Sequence, residues 1–190
     1  MKFQDAIFYA VKKFTSVEFI KRIKEEDESM IKHLNVLKNI NNHGYITIES
    51  QAGKQIRGQS KIDGTPYIIN ERAYILGFML ESTAHQFIKN IALYTDKNAI
   101  FIPFCEDNIY IPKNLDIPLT TTEQNGKINV NTHASSALPY SVWESYRKSL
   151  KINKTEKIVF IFCWDSKWNR NASTSSGLFN NIEKIIKMKP

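Results

Sequence analysis

The chain has 190 residues, of which 42% are hydrophobic and 24% charged, and these values are typical of one globular domain rather than of a disordered chain. The net charge of +7 favours anionic partners, but the lysines are scattered along the chain instead of forming the stripe that is typical of a nucleic-acid interface. Two cysteines, Cys105 and Cys163, are too few for a disulfide framework, and no apolar run approaches membrane-spanning length. We therefore expect an intracellular, cytoplasmic protein that does not insert into a membrane.

Hydrophobic spacing predicts the secondary structure in chain order. The opening is helical, the segment after Gly44 alternates like a strand, and a polar loop follows to about Pro66. Asn70 is the expected cap of a long central helix, and Asn125-Gly126 the turn of a hairpin. The expected helices are residues 3–14, 15–23, 27–40, 71–91, 141–150 and 178–186, and the expected strands are 45–49, 99–104, 108–111, 117–121, 127–131 and 157–163.

These elements predict an α/β or α+β fold in a single domain, residues 1–190. It has a helical N-terminal segment, a central mixed sheet, a long central helix and a C-terminal helix. No repeat, low-complexity tract or linker divides the chain.

The first candidate site is the strand-to-loop junction Ser50-Gln51-Ala52-Gly53. A hydroxyl, an amide and a permissive glycine emerge there at the carboxyl end of a strand, where crevices form in open sheets. The structural alternative is an ordinary turn in which Ser50 bonds its own backbone.

The second candidate is Glu71-Arg72, expected in the first turn of the central helix. Glu71 suits a helix N-terminus through the dipole alone, whereas Arg72 gains nothing from it. Arg72 is therefore expected to pair with a carboxylate or with a ligand phosphate.

The third candidate follows the strand 157–163. Tryptophan rings can stack on a nucleobase, and an arginine can bind phosphate. An aspartate can accept a hydrogen bond from a ribose hydroxyl or act as a general base. A serine-rich turn that enters a helix presents hydroxyls and free amides to an anion. Each residue also has a structural interpretation, as core, turn former or cap. The candidates are Trp164, Asp165, Trp168, Arg170, Ser175 and Ser176.

Other chemistries have less support. The sequence contains no Walker motif, no G-x-G-x-x-G and no G-x-S-x-G elbow, and we expect no cofactor. The four histidines, His33, His43, His85 and His133, lack the i, i+4 spacing of a helical metal pair, so no metal site is expected.

A motif of about 40 residues comprises Leu37 with Asn39, then Gly44-Tyr45-Ile46-Thr47, Ser50-Gln51-Ala52-Gly53 and residues 71–78, with sequence Glu-Arg-Ala-Tyr-Ile-Leu-Gly-Phe. This motif resembles that of an uncharacterised family of small domains from actinobacteria, phages and large DNA viruses. Ala52 replaces the usual proline and Glu71 the usual glutamine. The family brings no established activity, but the resemblance implies that Ser50, Gln51, Arg72 and Gly77 belong together.

If strands 45–49 and 157–163 are parallel neighbours, their outgoing loops share one edge and form a polar crevice with an aromatic wall. The leading hypothesis is that this crevice binds an anionic, ring-containing small molecule, above all a nucleotide or a nucleotide-derived signal. A Lys-, Asn- and Ile-rich composition suggests an AT-rich genome and, with the resemblance, a viral source that would use such binding for counter-defence.

Two alternatives stay open. One is a hydrolase or glycosyl-bond-cleaving enzyme that acts on a nucleotide, with Asp165 or Glu71 as acid or base. The other is a nucleic-acid-binding protein that uses the positive charge. The sequence leaves the oligomeric state undetermined.

Overall fold

The computed structural model describes residues 1–94, 96–103, 116–134 and 140–188, with the backbone alone for residues 101–103, 116, 133–134 and 140–143. The helices are α1 Phe3–Lys13, α2 Val17–Asp27, a 3₁₀ helix Glu28–His33, α3 Leu34–Asn42, α4 Glu81–Ile91, α5 Tyr140–Ser149 and α6 Leu178–Ile186. The strands are β1 Ile46–Gln51, β2 Gln55–Gln59, β3 Pro66–Leu80, β4 Lys97–Pro103, β5 Asp116–Gln124, β6 Lys127–Ala134 and β7 Ile158–Trp168.

The long strand β3 organises the sheet. Its first half pairs with β2 and β5, and its second half pairs with β1 and β7. Strand β4 adds to β7, and β6 adds to β5. The expected combination of N-terminal helices, central sheet and C-terminal helix is confirmed, but every pairing among the described strands is antiparallel, so the sheet is not mixed.

The predicted long helix of residues 71–91 is wrong in its first half, where the chain continues β3, and a helix begins only at Glu81. Residues 73–79 are all buried, because helices and loops cover both faces of this strand. A strand buried on both faces loses the alternation that identifies strands in a sequence.

Other boundaries also differ from the prediction. Strand β2 lies within the expected polar loop, and β7 continues to Trp168, five residues beyond its predicted end. Asp27 caps the 3₁₀ helix rather than α3, since its carboxylate accepts from the Ser29 amide at 3.1 Å. The expected strand 108–111 lies outside the described residues.

The two faces of the second half of β3 support separate apolar clusters. We call them the α6 face, which includes Ile75 and Met79, and the α1 face, which includes Leu76 and Phe78. Helices α3, α4 and α6 pack on the α6 face, and α1 packs on the α1 face. Residues that alternate along β3 and β7 therefore point to different environments.

Strands β1 and β7 lie on either side of β3 and both run antiparallel to it. They therefore run in the same direction, as predicted, but are separated by one strand, so the prediction that they are neighbours is wrong. Two inter-strand spacings amount to roughly 10 Å. Both strands end at the same end of the sheet, which places their outgoing loops together.

In the described part of the chain, we find no helix that combines the length and the apolar character needed to cross a membrane.

Candidate ligand site

One row of side chains joins the two strand ends that the sequence singled out. Gln51 of β1 and Trp164 of β7 are both Cα partners of Tyr74 in β3. Directly paired residues project from the same face of a sheet, so all three point to the α1 face. Arg72 lies two residues before Tyr74 in β3, so strand alternation places it on this face as well, although the β3–β7 register shifts between the two residues.

Arg72 stacks on Trp168, its partner across the β3–β7 pair. The guanidinium carbon lies 4.3 Å from the centroid of the indole ring. The Nε atom of Arg72 is buried without a hydrogen-bond partner, and no ion pair of Arg72 is recorded among the described residues. Burial lowers the pKa of Arg72, against a smaller opposing effect of the Asp165 charge. The site therefore holds a half-buried cation that receives some electrostatic support from Asp165 but has no hydrogen-bond acceptor among the described residues.

Gln51 and Tyr74 complete this surface. The Nε2 of Gln51 donates to the main-chain carbonyl of Arg72 at 3.2 Å, which ties the end of β1 to the arginine. The Tyr74 hydroxyl donates a short hydrogen bond to the Glu49 carboxylate. Burial, and then this bond, raise the pKa of Tyr74, so the phenol stays protonated at neutral pH.

Trp164 continues the aromatic surface toward the apolar cluster. Its ring lies 5.4 Å from that of Phe162 and is half-buried. We call the set Gln51, Arg72, Tyr74, Trp164 and Trp168 the Arg72 face. The structure thus brings together four of the nine predicted ligand residues, which are Gln51, Arg72, Trp164 and Trp168.

Ser50 does not join them. It pairs with Ile75, whose side chain is in the α6-face cluster, so its hydroxyl points away from Arg72. It lines a cleft beneath α2, to which Gln51 and Tyr74 also contribute.

Asp165 and Arg170 form an ion-pair network with Asp96 and Lys97. Asp165 is fully buried, and its carboxylate accepts from the Arg170 Nε at 2.7 Å and from the amide of Lys167 at 2.9 Å. Arg170 also donates to Asp96, and the Lys97 ammonium lies 3.7 Å from Asp165. These hydrogen bonds raise the pKa of Arg170. Both side chains are engaged in holding β4, β7 and the following loop together.

Glu71 projects to the α6 face, one residue out of phase with Arg72. One carboxylate oxygen is buried without a hydrogen-bond partner, and the Lys54 ammonium is 4.0 Å away. Burial raises the pKa of Glu71. Glu71 begins no helix, since it lies inside β3.

Ser175 and Ser176 lie in the exposed turn before α6, where their carbonyls accept from Lys184 and Asn181 at 3.4 and 3.2 Å. Gly177, rather than a serine, is the N-cap of that helix. Neither serine belongs to the Arg72 face.

Sequence reasoning missed two features. Asn169 adopts a left-handed φ of 60° and makes two hydrogen bonds to the backbone of Glu71. Its main-chain NH donates to the Glu71 carbonyl at 2.8 Å, and its side-chain Oδ1 accepts from the Glu71 NH at 3.2 Å. Lys13 and Arg22 line the cleft next to Ser50, and no motif identifies them. Among the described residues, no three potential metal ligands come together.

The sequence matches no protein-family model. It is not significantly similar to any curated protein.

Proposed function

We propose that this protein binds an anionic, ring-containing small molecule, with a nucleotide as the preferred class, at the Arg72 face. The observation that carries the proposal is the Arg72 guanidinium, which is stacked on Trp168 and has no acceptor among the described residues. A phosphate is the complementary group, because guanidinium binds it through paired, charge-assisted hydrogen bonds.

The energetics of Arg72 support an occupied site. A buried donor without a partner costs about 1–3 kcal/mol, and a ligand oxygen at Nε would recover this cost. The contact with Trp168 restrains the guanidinium, so less side-chain entropy remains to be lost on binding.

The ring of the ligand has two recognition elements in this proposal. Trp164 and Trp168 are half-buried aromatic side chains on one face of the sheet, and such rings stack on bases. Among the described residues, no group donates to the Oε1 of Gln51, while its Nε2 donates to the main-chain carbonyl of Arg72. This orientation presents an acceptor to the edge of a base.

Binding without chemistry fits the geometry better than hydrolysis or glycosyl-bond cleavage. The two acid–base candidates, Asp165 and Glu71, project to the α6 face, away from Arg72. Asp165 is also surrounded by Arg170 and Lys97. Recovery of unchanged nucleotide after prolonged incubation would separate binding from catalysis.

The nucleic-acid alternative predicts that affinity falls steeply with salt, since each phosphate contact releases counterions. The same titration, repeated at two salt concentrations, distinguishes an oligonucleotide ligand from a mononucleotide.

For a viral protein, sequestration of a host signalling nucleotide would be the matching role.

The experiment is a calorimetric titration with a panel of mononucleotides and cyclic nucleotides. At least one should bind saturably, and Arg72→Gln should weaken it about ten-fold or more, the loss expected for a charge-assisted hydrogen bond. Arg57→Gln is the matched control, because Arg57 lies on the neighbouring strand β2 and is exposed. No binding at millimolar nucleotide by folded protein removes the proposal, as does equal weakening by both substitutions.

A further inference from the structure

A concave site lies between β1 and the helices that precede it. It is a cleft of about 270 Å³, and one wall is formed by five consecutive residues, 47–51. The opposite wall comes from α2 and the end of α1. The apolar side chains that line it are Phe14, Phe19, Ile23, Met30, Leu34 and Leu37.

Two cations flank a single ring in this cleft. The Lys13 Nζ lies 4.7 Å from the Phe19 centroid, and the Arg22 Cζ lies 5.3 Å from it. Burial, and then the charge of Arg22, lower the pKa of Lys13. No ion pair of Lys13 is found in the described ranges. Lys13 is exposed and so is 56% of the Arg22 side chain, so both cations stay accessible to an incoming anion while water screens the repulsion between them.

The carboxylates of the cleft are mostly engaged elsewhere. Asp27 binds the Lys54 ammonium at 2.7 Å, and Glu49 accepts from Tyr74. Glu26 lies 3.8 Å from Arg22, but 65% of its side chain is exposed, and exposed pairs contribute little. An incoming anion would therefore supply the missing counter-charge next to an apolar surface.

We propose that this cleft is a binding site for a small molecule that carries one anionic group, a carboxylate or a phosphate, on an apolar body. The anion contacts Lys13 and Arg22 at the mouth of the cleft, and the apolar body packs against Phe19 and the other apolar side chains. Ser50 lines the opposite wall and offers a hydroxyl. The cleft shares Gln51 and Tyr74 with the Arg72 face but does not include Arg72, Trp164 or Trp168, so binding of an anion here does not require Arg72.

The test uses decanoate as the probe and 1-decanol as its neutral match. Calorimetry on the full chain should show saturable binding of one decanoate per chain. The double substitution Lys13→Gln with Arg22→Gln should weaken decanoate binding about ten-fold or more, because both charge-assisted contacts are lost. The unsubstituted protein should bind 1-decanol more weakly than decanoate. The double variant should bind the two compounds equally.

The matched control is Lys12→Gln with Lys21→Gln, which removes two cations adjacent in sequence that do not line the cleft. It should leave decanoate affinity unchanged, as should Arg72→Gln. Circular dichroism and the melting temperature establish that each variant is folded, and Lys13→Gln alone is measured if the double variant is not. The proposal is overturned by a lack of saturable binding, by equal affinity for decanol, or by equal losses in both pairs of substitutions.

Discussion

Gly53 lies directly against the main-chain carbonyl of Arg170, so closely that a methyl group on Gly53 would overlap that oxygen. The two loops that leave β1 and β7 therefore meet, as the sequence hypothesis of one shared edge requires. They meet by backbone packing on the α6 face, next to Ala52, Ala73 and Ala172, which are all buried. The two loops are packed against each other at this junction, and the Arg72 face lies on the opposite side of the sheet.

The close approach predicts that Gly53→Ala destabilises the fold. The overlapping atoms belong to the backbone of Arg170 and Ala73, which cannot rotate away, so we expect a loss of about 1–3 kcal/mol in the free energy of unfolding. Urea denaturation measures it. Gly64→Asn is the control, because Gly64 has a φ of 71°, which Asn tolerates, and open space around it. Equal stability of Gly53→Ala and the unsubstituted protein would contradict the packing.

The ion-pair network predicts a large cost for Arg170→Met. This change leaves the fully buried Asp165 without its principal partner, and breaking a buried pair costs about 3–5 kcal/mol. Lys167→Met is the matched control, since Lys167 lies 3.8 Å from Asp96 with 66% of its side chain exposed, and should change stability by less than about 1 kcal/mol. Similar urea midpoints for the two variants would show that Arg170 is not structural.

Arg72→Met should behave in the opposite way. A partly desolvated cation with no acceptor contributes only its stacking on Trp168, about 1 kcal/mol, and methionine restores much of that packing. We expect the free energy of unfolding to stay within about 1 kcal/mol of the unsubstituted value while nucleotide affinity is lost. A loss as large as that of Arg170→Met would mean that Arg72 serves the fold.

The sequence was informative where one principle governed an element. Asn125 and Gly126 have φ values of 52° and 72°, as a tight hairpin turn requires, and the predicted hairpin is confirmed as β5 and β6. Gly77 is a second such position, since a methyl group there would overlap the carbonyl oxygen of Ile46. In both cases the local backbone dictates the residue.

The sequence misled where tertiary burial removed the local signal. The run from Ala73 to Met79 carries no alternation, because both faces of β3 are covered, and helical spacing fitted it by chance. The same error placed Arg72 in the first turn of a helix. Arg72 is predicted as a ligand residue because the dipole of that helix would not stabilise it. Arg170 looked equivalent in sequence, and only the fold reveals that Asp96 and Asp165 bind it.

His33 predicts how stability depends on pH. The residue is fully buried, its Nδ1 lies 2.5 Å from the Ser173 hydroxyl, and its Nε2 has no hydrogen-bond partner. Burial, and then the charge of Lys32, lower its pKa to about 4, against an ordinary value of 6.5. Between these values the unfolded chain binds a proton that the folded chain does not, so stability falls as pH falls through this window.

The difference of the two pKa values corresponds to about 3 kcal/mol, which is fully present above pH 6.5 and lost by pH 4. Urea denaturation at pH 7.5 and at pH 4 should show this loss in the unsubstituted protein. His33→Gln should lose less over the same interval, because Gln can keep a contact with Ser173 and does not titrate. Carboxylates that do not act on the pKa of His33, such as Asp96, whose pKa is held low by hydrogen bonds from Arg170 and Lys97, contribute equally to both proteins and cancel. Identical pH dependence in the two proteins would show that His33 is protonated in the folded state.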